Sequence, residues 1–245
     1  MYGYVFDSFV QDGKFRSEAQ RIETRLASLG IQGRQEKITI LKSLTDACQT
    51  MVKRGIETLV VVGNDQTLFK VLPIAVEHGI PLGLIPVGPE QRIAKALGIP
   101  MGIDACDVLS RRVMRKIDVG RAGASYFLLE ALVPAGAMVT CNEGYTVSVT
   151  DPHATIAVAN ILDPRPEAQP DDGQLTVIVH GKSRGGWMRR QDESSFFMTD
   201  RAEIKTTRHG EPVTLDGHHI VKTPVVLSIQ PKLLSMIVGR ERQFQ

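Results

Sequence analysis

Two turns in the first half of the sequence hold residues whose types and spacing suit phosphate binding. The first is VVVGNDQTLFKV, residues 60–71, in which a β-branched run leads through a glycine-containing turn into a helical pattern. A helix N-terminus presents free N–H groups and a partial positive charge, which favour an anion. Asp65 can hold Mg²⁺ or orient a hydroxyl, and Thr67 can cap the helix or bind a phosphate. An ordinary strand-to-helix turn capped by Asn64 or Asp65 explains these residues equally well.

Three further motifs carry the same ambiguity. Residues 82–100 (LGLIPVGPEQRIAKALGIP) again suggest a buried strand, a turn and a short helix. The pairs Asp172-Gly173 and Asp216-Gly217 are typical of hairpin turns and need no function to explain them. Taken one at a time, each of these motifs is compatible with a purely structural role.

Composition and charge exclude several classes of protein. With 42% hydrophobic and 23% charged residues among 245, the chain has enough apolar surface to fold. Its net charge of +2 gives no reason to expect a nucleic-acid partner. No apolar run approaches the roughly 20 residues that span a bilayer, and the N-terminus lacks the pattern of a signal peptide. The three cysteines are far apart in sequence, which favours a cytoplasmic location over a disulfide framework or a zinc site.

The elements around these motifs differ between the two halves of the chain. In the first half, buried strands such as residues 58–62 alternate with helical stripes, the last of them over residues 104–116. This pattern predicts a parallel sheet covered by helices, with sites at the carboxyl ends of its strands. In the second half, short period-two runs separated by turn residues predict a mostly antiparallel β domain. We therefore expect two domains, residues 1–117 with about 230–245 and residues 118–229.

The order of these motifs resembles that of the diacylglycerol kinase family, which includes bacterial lipid kinases and sphingosine kinases. Residues 63–68 match the family's G-G-D-G-T-L in part, residues 86–92 match P-x-G-T-G-N-D in part, and residues 170–175 match P-x-x-D-G-x-L well. The resemblance extends over nearly the whole chain. It implies an α/β fold with an N-terminal parallel-sheet nucleotide-binding-type domain, a C-terminal antiparallel β-sandwich-like domain, and a cleft between them.

The resemblance also implies roles for individual residues. ATP would bind through the residues that match the family's nucleotide positions, which are Thr39, Gly63, Asn64, Asp65, Thr67 and Gly88. Mg²⁺ would be held by Asp172, in the loop that matches P-x-x-D-G-x-L. Catalysis would fall to Asp65, which orients metal or phosphate, and to Asp216 with His218, which take the proton of a lipid hydroxyl.

Several family residues are replaced in this chain. Asn64 and Gln66 stand where the family's phosphate loop has glycines, and Gln66 adds a side chain where the backbone would touch a phosphate. In the second turn the Thr, Asn and acidic positions of the motif are gone, and Glu90 is added. His218 replaces the Glu of the family's late D-G-E turn, although a histidine can also act as a general base.

These replacements leave three functions open. The first is an ATP-dependent lipid kinase, a transferase to a lipid hydroxyl. The second is a catalytically inactive relative, a pseudokinase, that binds lipid, another ligand or a partner protein. The third and weakest is NAD kinase-type chemistry, which shares the G-G-D-G-T element. The expected partners are a lipid or other small-molecule substrate, an anionic membrane surface and a second copy in a homodimer.

One cluster is not explained by the resemblance. Lys182, Arg184, Arg189 and Arg190 surround Trp187, the only tryptophan of the chain, in the segment HGKSRGGWMRRQ. Such a loop can contact anionic lipid headgroups with the tryptophan at the interface. The simpler interpretation, which we favour, is a solvated hairpin tip with a partly buried tryptophan.

Overall fold

The chain forms two compact units. A computed structural model describes residues 1–38, 43–142, 144–149, 154–161, 169–182 and 192–242. The first unit comprises Met1–Ile117 and Leu233–Gln245, and the second comprises Asp118–Lys232. The chain therefore leaves the first unit once and returns to it for its last residues.

The first unit alternates strands and helices. In chain order its elements are β1 (Tyr2–Phe6), α1 (Arg16–Ser28), β2 (Arg34–Lys37), α2 (Leu44–Lys53), β3 (Thr58–Gly63), α3 (Asp65–His78), β4 (Leu82–Pro86), α4 (Arg92–Ala96) and α5 (Ala105–Arg111). The strands lie in the order β2-β1-β3-β4 and are parallel. The end of β16 (Val225–Ile237) adds a fifth parallel strand beside β4.

Burial follows the periodicity of the sequence. Every residue of β3 and β4 is buried, as expected for parallel strands covered on both faces. The helix α1 buries Ala19, Ile22 and Leu26, which are three and four residues apart and therefore share one face. These strands position the two candidate turns, because β3 ends at the first turn and β4 ends at the second.

The sequence predicted a helix over residues 104–116, and this prediction is wrong in its length. The helix α5 ends at Arg111, and Arg112 has a φ of +51°, which is a left-handed conformation that terminates a helix. The chain then enters a strand at Met114. The apolar spacing of this segment did not reveal the left-handed residue.

The second unit is made of antiparallel strands. In chain order these are β5 (Met114–Ala122), which starts in the first unit, β6 (Ser125–Phe127), β7 (Glu130–Val133), β8 (Met138–Cys141), β9 (Tyr145–Ser148), β10 (Thr155–Ala159), β11 (Leu175–Lys182), β12 (Asp192–Thr199), β13 (Arg201–Lys205), β14 (Pro212–Leu215), β15 (His219–Lys222) and the first part of β16. One sheet has the order β12-β11-β10-β7-β14-β15. The other has the order β16-β13-β8-β9, with β5 paired to β16 and to β6. The predicted fold class, a parallel-sheet domain followed by an antiparallel β domain, is confirmed.

Candidate functional site

The turn after β3 is closed by a reciprocal cap at the start of α3. The side chain of Asn64 accepts a hydrogen bond from the Thr67 N–H at 3.1 Å, and the Asn64 N–H donates to the Thr67 Oγ1 at 3.3 Å. The Thr67 hydroxyl in turn donates to the Asp7 carboxylate at 2.7 Å. A Cβ on Gly63 would lie 2.5 Å from the Thr67 Oγ1, so this turn needs glycine at its first position.

The Asp65 carboxylate caps the helix that follows the second turn. Asp65 is only 2% exposed. Its carboxylate accepts hydrogen bonds from the Arg92 N–H at 2.7 Å and from the Ile93 N–H at 3.2 Å. Its own N–H donates to the Glu90 carbonyl at 3.0 Å. Asp65 therefore ties the two candidate turns together and satisfies the first N–H groups of α4.

The second turn has a left-handed backbone, which favours glycine, at two positions, although one of the two is a glutamate. Gly88 has a φ of +82° and Glu90 a φ of +63°, so both are left-handed. The amide of Gln91 donates to the carbonyl oxygens of Val87 at 2.9 Å, Gly88 at 3.2 Å and Gly63 at 3.3 Å. Its Oε1 is buried and has no hydrogen-bond partner within the described part of the chain. The sequence did not indicate that Gln91 joins the turns.

An aromatic pair covers part of the second turn. A Cβ on Gly88 would lie 2.9 Å from Cε2 of Phe9, so the Phe9 ring packs directly against this glycine. The Phe9 and Phe15 rings lie 5.7 Å apart at an interplanar angle of 80°. Together these contacts place apolar surface beside the turn where phosphate binding is expected. Neither ring was predicted as a residue of the candidate site.

Asp216 lies in the second unit, in the turn between β14 and β15. It is 4% exposed, and its carboxylate accepts hydrogen bonds from the N–H groups of Leu128 at 2.8 Å, Leu129 at 2.8 Å and Glu130 at 3.0 Å. Burial raises the pKa of Asp216 to about 6, and the three N–H donors oppose this rise. The Asp216 carboxylate therefore holds the connection between β6 and β7. His218 follows in the same turn, and its N–H donates to the Leu215 carbonyl at 2.9 Å.

Asp172 lies in the same unit, in a carboxylate cluster with Asp118 and Asp171. Its Oδ1 accepts a hydrogen bond from the Gln174 N–H at 2.8 Å. Burial raises the pKa of Asp172, and the nearby carboxylates of Asp118 and Asp171 raise it further. Asp118 is itself fully buried and accepts hydrogen bonds from the N–H groups of Gly173 at 2.6 Å and Lys232 at 2.7 Å.

This cluster fits a hard cation only with added ligands. Concentrated negative charge and carboxylate oxygens suit Mg²⁺, which usually retains several waters. Within the described residues, no group of three or more carboxylate, histidine or cysteine side chains is placed so that it could hold a metal ion. Asp172 would therefore hold the ion together with backbone carbonyls and water.

The first unit matches a known family model, and the fold recurs in solved structures. A family model described as the diacylglycerol kinase catalytic domain matches residues 5–122. A diacylglycerol kinase of Bacillus subtilis is 26% identical over 118 residues, and an uncharacterized protein of Synechocystis is 34% identical over 80 residues. The crystal structure of a diacylglycerol kinase from Bacillus anthracis superposes with a TM-score of 0.81 at 19% identity, covering 98% of this chain and 97% of that one.

The chain resembles the diacylglycerol kinase family, through the catalytic-domain match of its first unit and through its fold. The sequence matches cover 46% and 32% of this chain, and they span 39% of the Bacillus subtilis protein and 18% of the Synechocystis protein. The likeness to the crystal structure extends over both units but, at 19% identity, concerns the fold alone. The family model covers the N-terminal turns, whereas Asp172, Asp216 and His218 lie beyond it.

The structure brings together some of the predicted site residues. Gly63, Asn64, Asp65 and Thr67 form one hydrogen-bonded turn, and Asp65 links this turn to the one that contains Gly88. Asp172 and Asp216 belong to the second unit and occupy different turns there.

Two expectations from the sequence concern residues that are not described. Thr39 lies outside the described residues. So does most of the basic segment around Trp187, and of Lys182 only the backbone in β11 is described. No helix in the described part of the chain is both long and apolar enough to cross a membrane.

Proposed function

We propose that this protein binds a membrane lipid and does not transfer phosphate from ATP. One observation carries the proposal: the N–H groups of Asn64, Asp65 and Thr67 all donate to acceptors of the chain itself. A phosphate cradle works through N–H groups that are free to turn toward the anion. Here the Asn64 side chain, which replaces a family glycine, takes the place of an anion at the start of α3.

The second turn supports the same proposal through its charge. Glu90 is exposed and has a left-handed backbone, which favours glycine. A side chain that ends in a carboxylate therefore stands where the family motif has a glycine. A polyphosphate carries several negative charges and is repelled by a carboxylate at close range. The buried Oε1 of Gln91 adds an acceptor, whereas phosphate oxygens need donors.

The family resemblance supports the lipid half of the proposal. One relative carries the name diacylglycerol kinase, and the chain shares that family's catalytic-domain model. A chain that keeps the fold and loses the phosphate cradle retains the means to bind a lipid. A cytoplasmic location with contact to a membrane, and assembly as a homodimer, belong to this proposal.

A second candidate is ATP-dependent phosphorylation of a lipid hydroxyl. The retention of Gly63, Asp65 and Thr67, together with the left-handed φ of Gly88 and Glu90, favours it. ATP with Mg²⁺ would supply the phosphoryl group. In the first unit Thr39 and Asn64 would join these residues in binding the nucleotide.

The residues of the second unit would serve the lipid hydroxyl in this candidate. Asp216 with His218 would take the proton of the hydroxyl, and a pKa of about 6 suits a base that works near neutral pH. Asp172 would hold a structural Mg²⁺. Losing cradle donors would lower the rate, because phosphoryl transfer depends mainly on positioning and charge neutralisation.

Isothermal titration calorimetry with Mg²⁺-ATP separates the two candidates. We expect no binding at millimolar nucleotide to the folded wild type, and binding by the variant Asn64→Gly/Gln66→Gly, in which the cradle is reopened. Gln20→Gly on the exposed face of α1 is the matched control for introducing glycine. Micromolar binding by the wild type that weakens in Asp65→Asn would overturn the proposal and favour the kinase.

A further inference from the structure

A cavity of about 600 Å³ lies in the first unit, between α5 and the segment that follows β16. Such a volume is typical of small-molecule sites, which measure roughly 300–1,000 Å³. None of its described lining residues belongs to the turns after β3 and β4. The cavity is therefore separate from the site of the proposed function.

Two glycines fix the wall of the cavity that follows β16. The Gly239 N–H donates to the Leu97 carbonyl at 2.9 Å, and a Cβ on Gly239 would collide with the Gly98 carbonyl oxygen. A Cβ on Gly98 would in turn collide with the backbone nitrogen of Arg242. Both positions need glycine, because only then can the two backbones touch. This contact holds the segment with Arg240 against the loop that follows α4.

The opposite wall is one face of α5. From the N-cap of the helix onwards, Asp104, Asp107, Val108 and Arg111 line the cavity. Their spacing of i, i+3, i+4 and i+7 places them on one side of a helix. The Arg25 guanidinium of α1 donates to the Asp107 carboxylate at 2.6 Å, which neutralises this acid and fastens α5 to α1. The face therefore begins with a carboxylate, has an apolar middle and ends with a guanidinium.

The two ends of this face carry opposite charges that the protein itself does not use. Among the described residues, no hydrogen bond or ion pair engages the side chains of Asp104 and Arg111. A helix rises about 1.5 Å per residue, so their Cα atoms lie roughly 10 Å apart. Arg240, which also lacks such a partner in the described chain, adds a second guanidinium from the opposite wall. Ile99 and Val108 contribute apolar surface.

Charges of both signs line the cavity, and this balance favours a zwitterionic ligand. Lys95 and Glu241, both exposed, add one charge of each sign to those of Asp104, Arg111 and Arg240. A ligand with negative charge alone is repelled by the carboxylates, and one with positive charge alone is repelled by the cations. A ligand that carries one charge of each sign can meet an opposite charge at both ends of the α5 face.

We propose that this cavity binds a zwitterion of dipeptide size with apolar side chains. The ammonium group pairs with Asp104, and the carboxylate pairs with Arg111 and Arg240, because guanidinium forks match carboxylate geometry. An extended dipeptide spans about 7 Å, and the reach of the arginine side chains covers the remaining distance. The apolar side chains of the ligand pack on Ile99 and Val108, where they leave water.

Isothermal titration calorimetry with L-leucyl-L-leucine tests this proposal. The wild type is expected to bind this dipeptide with a submillimolar Kd. The N-acetyl derivative lacks the ammonium group and the C-terminal amide lacks the carboxylate, so each is expected to bind roughly tenfold more weakly. Free leucine, whose two charges are attached to one carbon atom, is also expected to bind at least about tenfold more weakly, since it cannot reach both ends of the face.

The variant Arg111→Gln separates recognition from stability. It is expected to bind L-leucyl-L-leucine roughly tenfold more weakly, yet to bind the C-terminal amide as the wild type does, because the amide has no carboxylate to lose. Its melting temperature should equal that of the wild type, since Arg111 has no partner in the described chain. Arg240→Gln is the second variant. Arg54→Gln, at the exposed C-cap of α2, is the matched control and should keep the wild-type affinity.

No heat of binding at millimolar L-leucyl-L-leucine would overturn the proposal. So would equal affinities of the wild type, Arg111→Gln and Arg240→Gln for this dipeptide, or equal affinities of the wild type for the dipeptide and its two blocked derivatives. The nucleotide titration uses a different ligand and different residues. Dipeptide binding can therefore fail while the absence of ATP binding stands, and the reverse.

Discussion

The Asp65 carboxylate accepts a hydrogen bond from the N–H of Arg92, 27 residues further along the chain, at a distance of 2.7 Å. One buried side chain thus joins the ends of two neighbouring parallel strands. The residue that the resemblance assigns to metal or phosphate is engaged with backbone donors. This relationship makes Asp65 a structural residue in the described state, whatever else it binds.

Removing the Asp65 carboxylate should therefore lower stability. In Asp65→Ala, the N–H groups of Arg92 and of the buried Ile93 lose their acceptor, which we expect to cost about 1–3 kcal/mol in free energy of unfolding. Urea denaturation measures the change. The control is Asp46→Ala in the first turn of α2, where the side chain is exposed. Equal midpoints for the two variants would contradict the capping role of Asp65.

A methyl group at Gly63 should disturb the start of α3. The Cβ of Gly63→Ala would lie 2.5 Å from the Thr67 Oγ1, which is too close, so the Asn64–Thr67 cap must shift. We expect a loss of about 1–3 kcal/mol in free energy of unfolding. Gly13→Ala is the matched control, because nothing lies within 4 Å of its added Cβ. Thermal unfolding of both variants measures the loss, and equal melting temperatures would contradict a role for Gly63 in the start of α3.

Sequence reasoning predicted the parts of the fold that depend on local pattern. The β-branched run of β3 and the apolar spacing of α1 are periodic signals, and both elements lie where these signals predict. The end of the helix near Arg112 was wrong, because a left-handed residue other than glycine leaves no mark in the hydrophobic pattern.

The position of the candidate site in the sequence was predictable, but the hydrogen bonds that join its residues were not. A buried strand, a glycine turn and a helix locate the residues around Gly63, and the resemblance adds Asp65 and Thr67. The role of Gln91 depends on carbonyl groups up to 28 residues away, so no local spacing reveals it. The three N–H groups that hold Asp216 are also remote in sequence, between 86 and 88 residues away. Such contacts follow from strand order, which the sequence patterns leave open.

The buried carboxylate of Asp216 should make stability depend on pH in a defined window. Burial raises its pKa from 3.8 in an unperturbed Asp to about 6 in the folded state. The folded state therefore holds the proton more tightly than the unfolded chain. The resulting stabilisation is full below pH 3.8 and is lost as the pH rises to about 6, and its size is about 3 kcal/mol.

Comparison with Asp216→Asn isolates this contribution, because the amide does not titrate. We expect the free energy of unfolding of the wild type to fall relative to that of the variant between pH 4 and pH 6.5, by about 3 kcal/mol. Asp200→Asn, at an exposed aspartate, should follow the wild-type curve. Parallel curves for the wild type and Asp216→Asn would mean that burial does not raise the Asp216 pKa.

Mg²⁺ should stabilise the second unit through Asp172. Its carboxylate lies near those of Asp118 and Asp171, and a bound cation would relieve the repulsion that helps to raise its pKa. We expect millimolar Mg²⁺ to raise the melting temperature at pH 7.5 and to have less effect as the pH is lowered, because the ion must then displace a proton. Asp172→Asn should abolish this increase, and Asp200→Asn should retain it. A Mg²⁺ effect of the same size in both variants would place the ion elsewhere, since Asp172 belongs to the carboxylate cluster and Asp200 does not.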